Sequence, residues 1–585
     1  MILKSFTMDD NTKRRIETWL NGAYDQEIKD EIKRMQQEDP KALEDAFYCD
    51  LEFGTGGMRG IIGVGTNRMN KYTVGAAAQG IANFMKATVP HDPRIVISYD
   101  SRIMSREFAQ ISADIFSANG IQTFLFDDIR PTPELSFAVR ELHCQAGVMI
   151  TASHNPKEYN GYKVYGDDGG QLVAPYDRLV LDEVKKVTDI SMISWQRKAS
   201  LVKVIGKKID DIYLKHVRAL SLHLPKSEKG KNLKIVYTPL HGTGIALVPQ
   251  ALKMFGFKDV TVVAPQAIPD GTFPTVVYPN PEEHEALKLA LQCADEIHAD
   301  LVLATDPDAD RVGIAVRNAD GEMQLMNGNQ TATLLFNYVL EHQLKKGHDI
   351  KNPYVVKTIV TTDLLKDIAL DYNIDCYEVL TGFKYIAETI RSHEQDATYL
   401  VGGEESYGYL VGDFVRDKDA VSACCLIAEM AACYKVIHRE NHKLLTEVLD
   451  DIYYQYGLYQ EGLLSLTKKG QDGLNEIRQM MEKFRTKPPK TIGGIEVVKM
   501  HDVQLQKYYD YRYGTNGPLD LPSSNVLQFF LKDGSKLTVR PSGTEPKIKF
   551  YFSVTTKVNR RNEMAARKLE LQQKIEDLKK AMLEF

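Results

Sequence analysis

The chain has 585 residues and a formal net charge of −6, and 43% of its residues are hydrophobic and 26% charged. A chain of this length exceeds a single hydrophobic core, so it predicts roughly three to five domains, and its acidic balance argues against a nucleic-acid partner. No apolar run approaches the length of a membrane span, and the N-terminus lacks the layout of a signal peptide. The seven cysteines are scattered and form no CxxC pair. They predict a protein of the reducing cytoplasm without disulfides or a zinc site.

Residues 1–48 have the pattern of packed helices. Apolar side chains recur there at near-helical spacing within a segment that is otherwise rich in charge. The recurring residues are Ile16, Leu20, Ile28, Ile32 and Met35. We predict a helical N-terminal extension that contributes no chemistry.

A glycine-rich stretch, residues 52–60, follows the extension and contains Arg59. Its glycines permit tight turns close to a ligand, and the Arg59 guanidinium can bind a phosphate through paired hydrogen bonds. The stretch matches neither a Walker loop nor the G-x-G-x-x-G fingerprint. Taken alone it is more typical of an ordinary glycine-rich turn, so its role depends on the rest of the chain.

Strands and helices then alternate. The apolar periodicity predicts helices over residues 72–87 and 107–118 and strands over 94–98, 121–126 and 146–150. The last of these strands is an apolar run bounded by turn signals, which is typical of a buried strand. The alternation predicts a layered α/β domain.

The loop Thr151-Ala152-Ser153-His154-Asn155-Pro156 follows that buried strand. Proline lacks an N–H donor and restricts the residue before it, so the chain turns sharply here. Reactive side chains of open α/β sheets tend to lie at such strand ends. After a turn at Asn160-Gly161, a short strand could bring Lys163 back beside Ser153. A polar turn remains the alternative for this serine when it is considered alone.

A charged, broken region at about residues 186–232 indicates a domain boundary. A second α/β unit follows, with predicted strands over 234–237, 301–304 and 312–316.

Three aspartates lie at alternate positions between the last two of these strands. Asp306, Asp308 and Asp310 can converge on one hard cation. An EF-hand would need Gly at the sixth and Glu at the twelfth position, where this chain has Arg311 and Arg317. Three carboxylates suit magnesium completed by a phosphate oxygen, and a solvated acidic turn is the alternative.

A third unit contains a predicted helix over residues 331–340 and strands over 354–357 and 399–401. The last strand gives way to a loop with Glu404 and Ser406, whose side chains suit hydrogen bonds to vicinal sugar hydroxyls. Such a loop could equally be a plain turn.

The character of the chain changes from about residue 440, and a predicted strand pair flanks the loop 540–546. The alternation of Ile548, Phe550 and Phe552 with polar residues predicts a half-buried strand, and a charged helix from about residue 563 ends the chain. The loop offers a guanidinium, hydroxyls and backbone N–H groups to an anion. Its candidate anion ligands are Arg540, Ser542, Gly543 and Thr544.

Together these loops favour phosphoryl transfer through a phosphoserine. A serine nucleophile, a three-aspartate metal loop and a separate phosphate site are the parts that such chemistry needs. A Ser-His hydrolase is the alternative for Ser153. It lacks the G-x-S-x-G elbow, and we expect the adjacent His154 to be poorly placed as a base for its neighbour.

With these loops assembled, residues 50–555 resemble the α-D-phosphohexomutase family of phosphoglucomutases, phosphomannomutases and their relatives. The loops at 151–156, 306–311, 403–408 and 540–546 resemble, in the family's order, its phosphoserine, magnesium, sugar and phosphate loops. The implied fold has three layered α/β domains and a smaller C-terminal α+β domain around a central cleft. The expected divisions are 1–48 for the extension, 49–212, 213–323 and 324–440 for the α/β domains, and 441–585 for the last domain.

The resemblance also implies roles for individual residues. Ser153 would carry a phosphoryl group and share one Mg²⁺ with the three aspartates, and a hexose 1,6-bisphosphate would form and turn over within the cleft. Lys163 and His154 would be the acid/base pair, with the identity of the base left open. Arg59 and Arg311 would stabilise the transferring charge, and Lys384, in a T-G-aromatic-K pattern, would face the sugar.

Two departures from the family pattern bear on the substrate. The metal loop has Asp-Pro-Asp where many members have Asp-Gly-Asp, and the sugar loop continues Tyr407-Gly408 without a histidine. With Glu405, the second departure favours a glucose 1-phosphate/6-phosphate mutase with glucose 1,6-bisphosphate as intermediate and activator. Phosphomannomutase, phosphopentomutase and sugar bisphosphate synthase activities stay open, as does the choice between monomer and homodimer. A non-catalytic sugar-phosphate sensor would be expected to lose Ser153 or a metal aspartate, and this chain keeps them.

Overall fold

The computed structural model describes residues 8–54, 57–222, 232–344, 350–437, 443–468, 470–542 and 547–584. Within these residues the chain forms four β-sheets, one after another along the sequence. Helices cover each of the first three sheets and one side of the fourth, as the alternating sequence pattern predicts. None of the described helices is both long and apolar enough to cross a lipid bilayer.

The N-terminal extension is helical, as predicted. Ile16, Trp19 and Phe47 form its small apolar core, which packs on Tyr72 of the first α/β domain. The backbone N–H of Asp25 also donates to the Tyr72 hydroxyl at 2.8 Å. The helices are α1 (Asp10–Asn21), α2 (Gln26–Glu38) and α3 (Pro40–Phe47).

The first α/β domain is built on a seven-stranded sheet. Its strands are β1 (Phe53–Gly54), β2 (Gly57–Ile61), β3 (Arg94–Tyr99), β4 (Gln122–Phe126), β5 (Ala146–Ile150), β6 (Tyr159–Tyr165) and β7 (Val202–Ile205). Its helices are α4 (Lys71–Thr88), α5 (Ser105–Ala118), α6 (Thr132–Glu141), α7 (Tyr176–Lys185) and α8 (Lys207–Ala219). The strand order is β1-β2-β6-β5-β3-β4-β7, and β5 runs parallel to β3 and antiparallel to β6. The loops after β3 and β5 therefore lie at the same edge of the sheet.

The charged region at 186–232 is less broken than its sequence predicts. It contains β7, which pairs with β4 in parallel, and helix α8, so the expected division at residue 212 falls inside a helix.

The second α/β domain has a five-stranded sheet in the order β12-β11-β10-β8-β9. The strands are β8 (Ile235–Thr238), β9 (Val260–Val262), β10 (Leu301–Thr305), β11 (Val312–Arg317) and β12 (Met323–Met326), and the helices are α9 (Gly244–Met254), α10 (Ala264–Ala267) and α11 (His284–Glu296). Strands β10 and β11 form an antiparallel hairpin with Thr305 opposite Val312. The three aspartates lie in the six-residue loop that connects them.

The third α/β domain has a four-stranded sheet in the order β14-β13-β15-β16. The strands are β13 (Pro353–Thr358), β14 (Asp375–Val379), β15 (Thr398–Gly403) and β16 (Tyr409–Val411), and the helices are α12 (Gly328–Leu344), α13 (Leu364–Asp371), α14 (Phe383–Ser392) and α15 (Ala420–Ile437). Strands β13 and β15 are parallel. The sugar loop predicted around Glu404 connects β15 to its antiparallel neighbour β16.

The C-terminal domain is a mainly antiparallel sheet backed by helices. Its strands are β17 (Leu458–Thr467), β18 (Thr491–Ile492), β19 (Ile495–Asp502), β20 (Lys507–Asp510), β21 (Thr515–Pro518), β22 (Leu527–Leu531), β23 (Lys536–Pro541) and β24 (Lys547–Thr556), and the helices are α16 (Leu445–Tyr456), α17 (Gly470–Thr486) and α18 (Met564–Glu584). The half-buried strand predicted from alternation is β24: Ile548, Phe550 and Phe552 are buried.

Consecutive domains are connected by hydrogen bonds to backbone carbonyl groups. The Thr132 N–H of the first domain donates to the Asp308 carbonyl at 2.9 Å, and the Val312 N–H of the second donates to the Tyr407 carbonyl at 3.0 Å. The Gln528 side chain of the last domain donates to the Ile359 carbonyl at 3.1 Å. These contacts bring the metal loop against both the first and the third domains.

Candidate active site

Ser153 lies in a left-handed turn directly after β5. Its φ of 53° is unfavourable for a residue with a side chain, by roughly 1–2 kcal/mol. The Thr151 hydroxyl accepts the Ser153 N–H at 2.8 Å, and Ser153 Oγ donates to Asp306 Oδ2 at 2.7 Å. Ser153 Oγ is also 3.1 Å from His154 Nδ1. The expectation that His154 is poorly placed beside Ser153 is therefore wrong, because the left-handed turn folds the two side chains towards each other.

Lys163 reaches the metal loop from β6, one strand away from β5. The Lys163 ammonium donates to Asp308 Oδ2 at 2.7 Å and to Asp310 Oδ2 at 3.1 Å. Strand β6 can approach the serine loop because Gly161 has no side chain: a Cβ there would lie 2.4 Å from the Thr151 carbonyl oxygen. The strand return that the sequence predicts is present, and the metal loop joins Lys163 to the serine.

The three aspartates of the metal loop are almost fully buried, and one carboxylate oxygen of each lies within 4.8 Å of the others. Asp306 Oδ1 accepts the backbone N–H groups of Asp310 and Arg311, each at 3.1 Å. Asp308 Oδ1 and Asp310 Oδ1 are buried and have no hydrogen-bond partner in the part of the chain that the structure describes. Buried carboxylate oxygens need a partner, so this donor set fits a hard divalent cation such as magnesium.

The electrostatics of the loop lead to the same conclusion. Burial, followed by the charges of Asp308 and Asp310, raises the pKa of Asp306 well above its usual range. Burial also opposes the charge of Asp310, but Lys163 and Lys418 outweigh it and lower the pKa of that carboxyl. Acidic charge is thus concentrated in a dry loop, where a cation would be strongly stabilised.

His154 has the opposite electrostatic environment. Burial lowers the pKa of its imidazole well below the ordinary value, and the positive charges of Arg311 and Arg59 add to this effect. Arg59 itself is exposed and donates to Asn155 Oδ1 at 3.3 Å. Burial and the two arginines therefore favour the neutral form of the imidazole beside Ser153 Oγ.

The third domain contributes Glu404 and Lys418 to the same region. Glu404 is buried, its Oε1 accepts the Gly382 N–H at 3.0 Å, and burial raises its pKa, opposed by the charges of Lys418 and Arg311. Arg311 donates to Glu282 Oε1 at 2.7 Å. The candidate sugar ligand Glu404 thus lies within the electrostatic field of the metal loop.

The other two predicted sugar ligands, Ser406 and Lys384, also belong to the third domain. Ser406 is partly exposed. The residue before it is Glu405, and burial raises the pKa of the Glu405 carboxyl to about 7. The Lys384 ammonium lies 5.0 Å from the centre of the Tyr385 ring. Burial lowers the pKa of Lys384, opposed by the carboxylates of Asp177 in the first domain and of Glu388. Lys384 therefore lies where the first and third domains approach each other.

The sequence interpretation missed Lys418. Its ammonium is 3.1 Å from Asp310 Oδ2 and 3.0 Å from Asp417 Oδ1, and Asp417 Oδ2 accepts the Tyr165 hydroxyl at 2.8 Å. A signal was available, since Arg416-Asp417-Lys418-Asp419 is a run of charge directly before an apolar helix. Charged residues in a buried run must pair with one another or bind a ligand.

The candidate phosphate site lies on β23 and β24. Arg540 and Lys549 are direct cross-strand neighbours, and Lys547 lies two residues along β24 on the same face. Like charges opposite each other destabilise a sheet, so this face is expected to bind an anion. Burial and the charges of Lys547 and Arg540 lower the pKa of Lys549. Sequence reasoning missed Lys549.

The loop beyond Arg540 is only partly described. The Ser542 N–H donates to the Lys547 carbonyl at 2.7 Å, which connects the two strands at the base of the loop. Gly543 and Thr544, the other predicted anion ligands, lie outside the described residues.

Comparison with known proteins supports this assembly of loops. Family models described as phosphoglucomutase/phosphomannomutase, alpha/beta/alpha domains I, II and III, match residues 50–190, 211–321 and 327–456. A phosphoglucomutase of Staphylococcus aureus strain MRSA252 is 40% identical over 541 residues, which are 92% of this chain and 95% of the relative. The chain belongs to the α-D-phosphohexomutase family.

Solved structures with this phosphohexomutase fold agree with the observed architecture. The open form of pp63/parafusin, a phosphoglucomutase from Paramecium, has a TM-score of 0.66 at 18% identity and covers 91% of this chain and 95% of its own. A phosphoglucomutase/phosphomannomutase family protein from Burkholderia thailandensis has a TM-score of 0.64 at 17% identity and covers 90% and 97%. The predicted arrangement of three α/β domains and a C-terminal sheet domain is confirmed.

Proposed function

We propose that this phosphohexomutase is a phosphoglucomutase that interconverts α-D-glucose 1-phosphate and glucose 6-phosphate. The observation that carries the proposal is the contact of Ser153 Oγ with Asp306, beside two buried carboxylate oxygens that have no hydrogen-bond partner among the described residues. The S. aureus phosphoglucomutases, at about 40% identity over 92% of the chain, support glucose phosphates as substrates. The reaction is an isomerisation by phosphoryl transfer through glucose 1,6-bisphosphate.

In the proposed cycle Ser153 alternately gives and receives a phosphoryl group. Phosphorylated Ser153 transfers the group to the free hydroxyl of a glucose monophosphate, so the Oγ–P bond breaks as a sugar O–P bond forms. After the bisphosphate reorients, Ser153 Oγ takes the other phosphoryl group. His154, 3.1 Å from Oγ, and Lys163 are the pair that exchanges protons with the reacting oxygens. Arg59 and Arg311 supply positive charge near the transferring group.

Asp306, Asp308 and Asp310, with Ser153, would hold one magnesium ion. A bound Mg²⁺ supplies charge neutralisation for the phosphoryl group in such sites. The aspartates orient Ser153 Oγ and the Lys163 ammonium, and their burial excludes water from the reacting centre.

Glu404 and Ser406 are proposed to bind the sugar hydroxyls. Replacing Glu404 with Ala is expected to lower kcat and raise KM together, because the hydroxyls must be held in both orientations of the intermediate. A lost hydrogen bond to a charged group costs roughly 1.5–3 kcal/mol, which is on the order of 10- to 100-fold in kcat/KM. Steady-state kinetics with glucose 1-phosphate measures this, with the exposed Glu322→Ala as control. Normal kinetics in both Glu404→Ala and Ser406→Ala would mean that the sugar is bound elsewhere.

A mutase must hold the phosphate that remains on the sugar, whereas a phosphatase needs only the one it removes. Arg540 and Lys549 form a paired positive charge on a domain separate from Ser153, and this arrangement suits that second phosphate. Ser542, Gly543 and Thr544 are proposed to complete the site. Lys384 is proposed to face the sugar between the two ends of the cleft.

Replacing Arg540 with Ala is expected to lower kcat/KM by roughly 10- to 10³-fold, because a guanidinium–phosphate contact is lost. Mg²⁺ affinity should not change, since the metal loop belongs to another domain. More free glucose 1,6-bisphosphate should be released per turnover, because the intermediate is held less firmly as it reorients. Arg512→Ala is the matched control, as Arg512 lies in the same domain, half exposed beside Asp510. A wild-type KM without extra bisphosphate release would show that Arg540 does not bind the phosphate.

A side-by-side assay tests the substrate. Glucose 1-phosphate, mannose 1-phosphate and ribose 1-phosphate are compared with glucose 1,6-bisphosphate as activator, and kcat/KM should be highest for glucose 1-phosphate. A higher value for mannose or ribose 1-phosphate would replace the proposal with a phosphomannomutase or phosphopentomutase. Net accumulation of bisphosphate would indicate a synthase.

A cytoplasmic location and a monomeric or homodimeric state remain predictions.

A further inference from the structure

The Arg102 guanidinium donates hydrogen bonds to several backbone carbonyl groups in and next to the serine loop. The residue as a whole is 3% exposed, and its side chain has no exposed surface. It donates to the Ser153 carbonyl at 2.5 Å, to the Pro156 carbonyl at 2.8 Å and to the Tyr159 carbonyl at 3.1 Å. It also donates to the Asn155 carbonyl. Three carbonyl oxygens of the serine loop and that of Tyr159, the first residue of β6, therefore converge on a single side chain.

The guanidinium is itself held from two sides. Asp100 Oδ2 lies 3.4 Å from Arg102 Nε, and Asp100 Oδ1 accepts the Arg102 backbone N–H at 2.9 Å. From the second domain, the Phe273 ring lies 4.9 Å from Arg102 Cζ. Gly271 forms a backbone bridge to Arg102, and a Cβ on Gly271 would lie 2.4 Å from the Ile103 nitrogen. Arg102 is thus fixed where the first two domains meet.

This arrangement has a physical explanation. Carbonyl oxygens that converge repel one another unless a strong donor lies between them, and arginine offers five N–H donors in a rigid planar fork. Ser153 also holds a left-handed φ of 53°, which its side chain disfavours. The bond from Arg102 to the Ser153 carbonyl fixes the peptide that follows this strained residue.

We propose that Arg102 is a positioning residue for phosphoryl transfer. It touches no reacting atom; it holds the serine loop so that Ser153 Oγ stays aligned with Asp306 of the second domain. The inference rests on the proposed function and extends it to a residue behind the catalytic face. Loss of the guanidinium should therefore slow the transfer step and leave sugar binding nearly unchanged.

A cavity beside Arg102 makes a specific test possible. Arg102 lines a cavity of about 430 Å³ between the first two domains, together with Arg106, Asp128 and Ala246. Truncation of Arg102 would leave a guanidinium-sized space that opens onto this cavity. Free guanidinium ion should enter and restore the missing hydrogen bonds.

The experiment compares Arg102→Ala, Arg102→Lys and Arg106→Ala in the full-length protein. Arg102→Ala should lower kcat by about 10²- to 10³-fold with KM within about threefold, as expected when an interaction specific to the transition state is lost. A few millimolar guanidinium chloride, far below denaturing concentrations, should raise its kcat at least about tenfold, whereas equal sodium chloride should not. Arg106 lines the same cavity but pairs with exposed Asp128, so Arg106→Ala should behave as wild type and show no guanidinium response.

Arg102→Lys keeps the positive charge and much of the volume, and so covers the case in which the alanine variant does not fold. Its single ammonium cannot serve four carbonyls, so kcat should fall at least about tenfold, and guanidinium should not restore it because the space is filled. Wild-type kcat in Arg102→Lys, a folded Arg102→Ala without a guanidinium response, or a loss confined to KM would each overturn the proposal. Turnover of glucose 1-phosphate by the wild-type protein tests the proposed function. The Arg102 proposal is tested separately, because each variant's kcat is compared with the wild-type kcat.

Discussion

Replacing Ser153 with Ala is expected to abolish mutase turnover, with kcat reduced by at least about 10⁴-fold. Without Oγ the proposed carrier atom of the phosphoryl group is missing. Ser153 Oγ is bonded to Asp306 and lies beside His154, whereas the nearby Thr151 hydroxyl is occupied by the Ser153 N–H. A coupled assay with glucose 1-phosphate and added glucose 1,6-bisphosphate measures the loss.

The matched control is Ser117→Ala, which removes a buried serine hydroxyl from the same domain. Ser117 Oγ donates to the Asp114 carbonyl within helix α5, away from the serine loop, so this variant should keep its activity. Mg²⁺ binding by Ser153→Ala should also persist, because the three aspartates remain. Turnover near the wild-type rate in Ser153→Ala would contradict the assignment of the phosphoryl carrier.

The second large effect is expected for Asp308→Asn, with kcat lowered by at least about 10²-fold and Mg²⁺ bound more weakly. The substitution removes one anionic metal ligand. It also replaces the carboxylate that accepts the Lys163 ammonium at 2.7 Å and the Thr132 hydroxyl at 2.8 Å. Titration calorimetry with Mg²⁺ measures affinity independently of activity.

Asp320→Asn is the matched control for this experiment. Asp320 lies in an exposed acidic turn between β11 and β12 of the same domain, so its neutralisation should change neither Mg²⁺ affinity nor kcat. If Asp308→Asn bound Mg²⁺ and turned over substrate like the control, the aspartate loop would be a structural turn and not a metal site.

The sequence predicts the parts of this structure that depend on local pattern. The buried strand before Ser153 was expected over residues 146–150, and the structure has β5 at Ala146–Ile150, because turn residues bound its apolar run on both sides. Strand β24 can likewise be predicted from a local pattern, the alternation of apolar and polar residues. The three aspartates could be assigned to one cation because their spacing within a hairpin loop makes them converge.

Other features could not be predicted because they depend on tertiary contacts. The charged run around Lys418 indicates that it is paired, but its partner Asp310 is 108 positions away, by subtraction of their residue numbers, and no local pattern identifies that partner. Arg102 lies just after β3, where no local motif marks it, although its donors reach the serine loop 51 positions later. The charged residues of the region 186–232 obscured β7 and α8. Strand β7 is short and partly exposed, whereas Ile209, Tyr213 and Val217 of α8 recur at helical spacing and are buried.

The position of His154 illustrates a limit of another kind. Adjacent side chains of an extended or helical backbone point apart, which is why the sequence alone predicts that His154 is poorly placed as a base for its neighbour. The left-handed φ at Ser153 changes that direction. A backbone conformation of this kind is not encoded by a serine, and it depends on contacts from Thr151 and Arg102.

The most direct test of the central claim is to map phosphate on the protein. The purified chain is incubated with Mg²⁺ and glucose 1,6-bisphosphate, digested and analysed by mass spectrometry before and after addition of excess glucose 6-phosphate. We predict one phosphate on the peptide that contains Ser153, which is lost when the monophosphate is added and is absent in Ser153→Ala. A catalytically active protein with no phosphate on that peptide, or with phosphate that glucose 6-phosphate does not remove, would contradict a phosphoserine mutase.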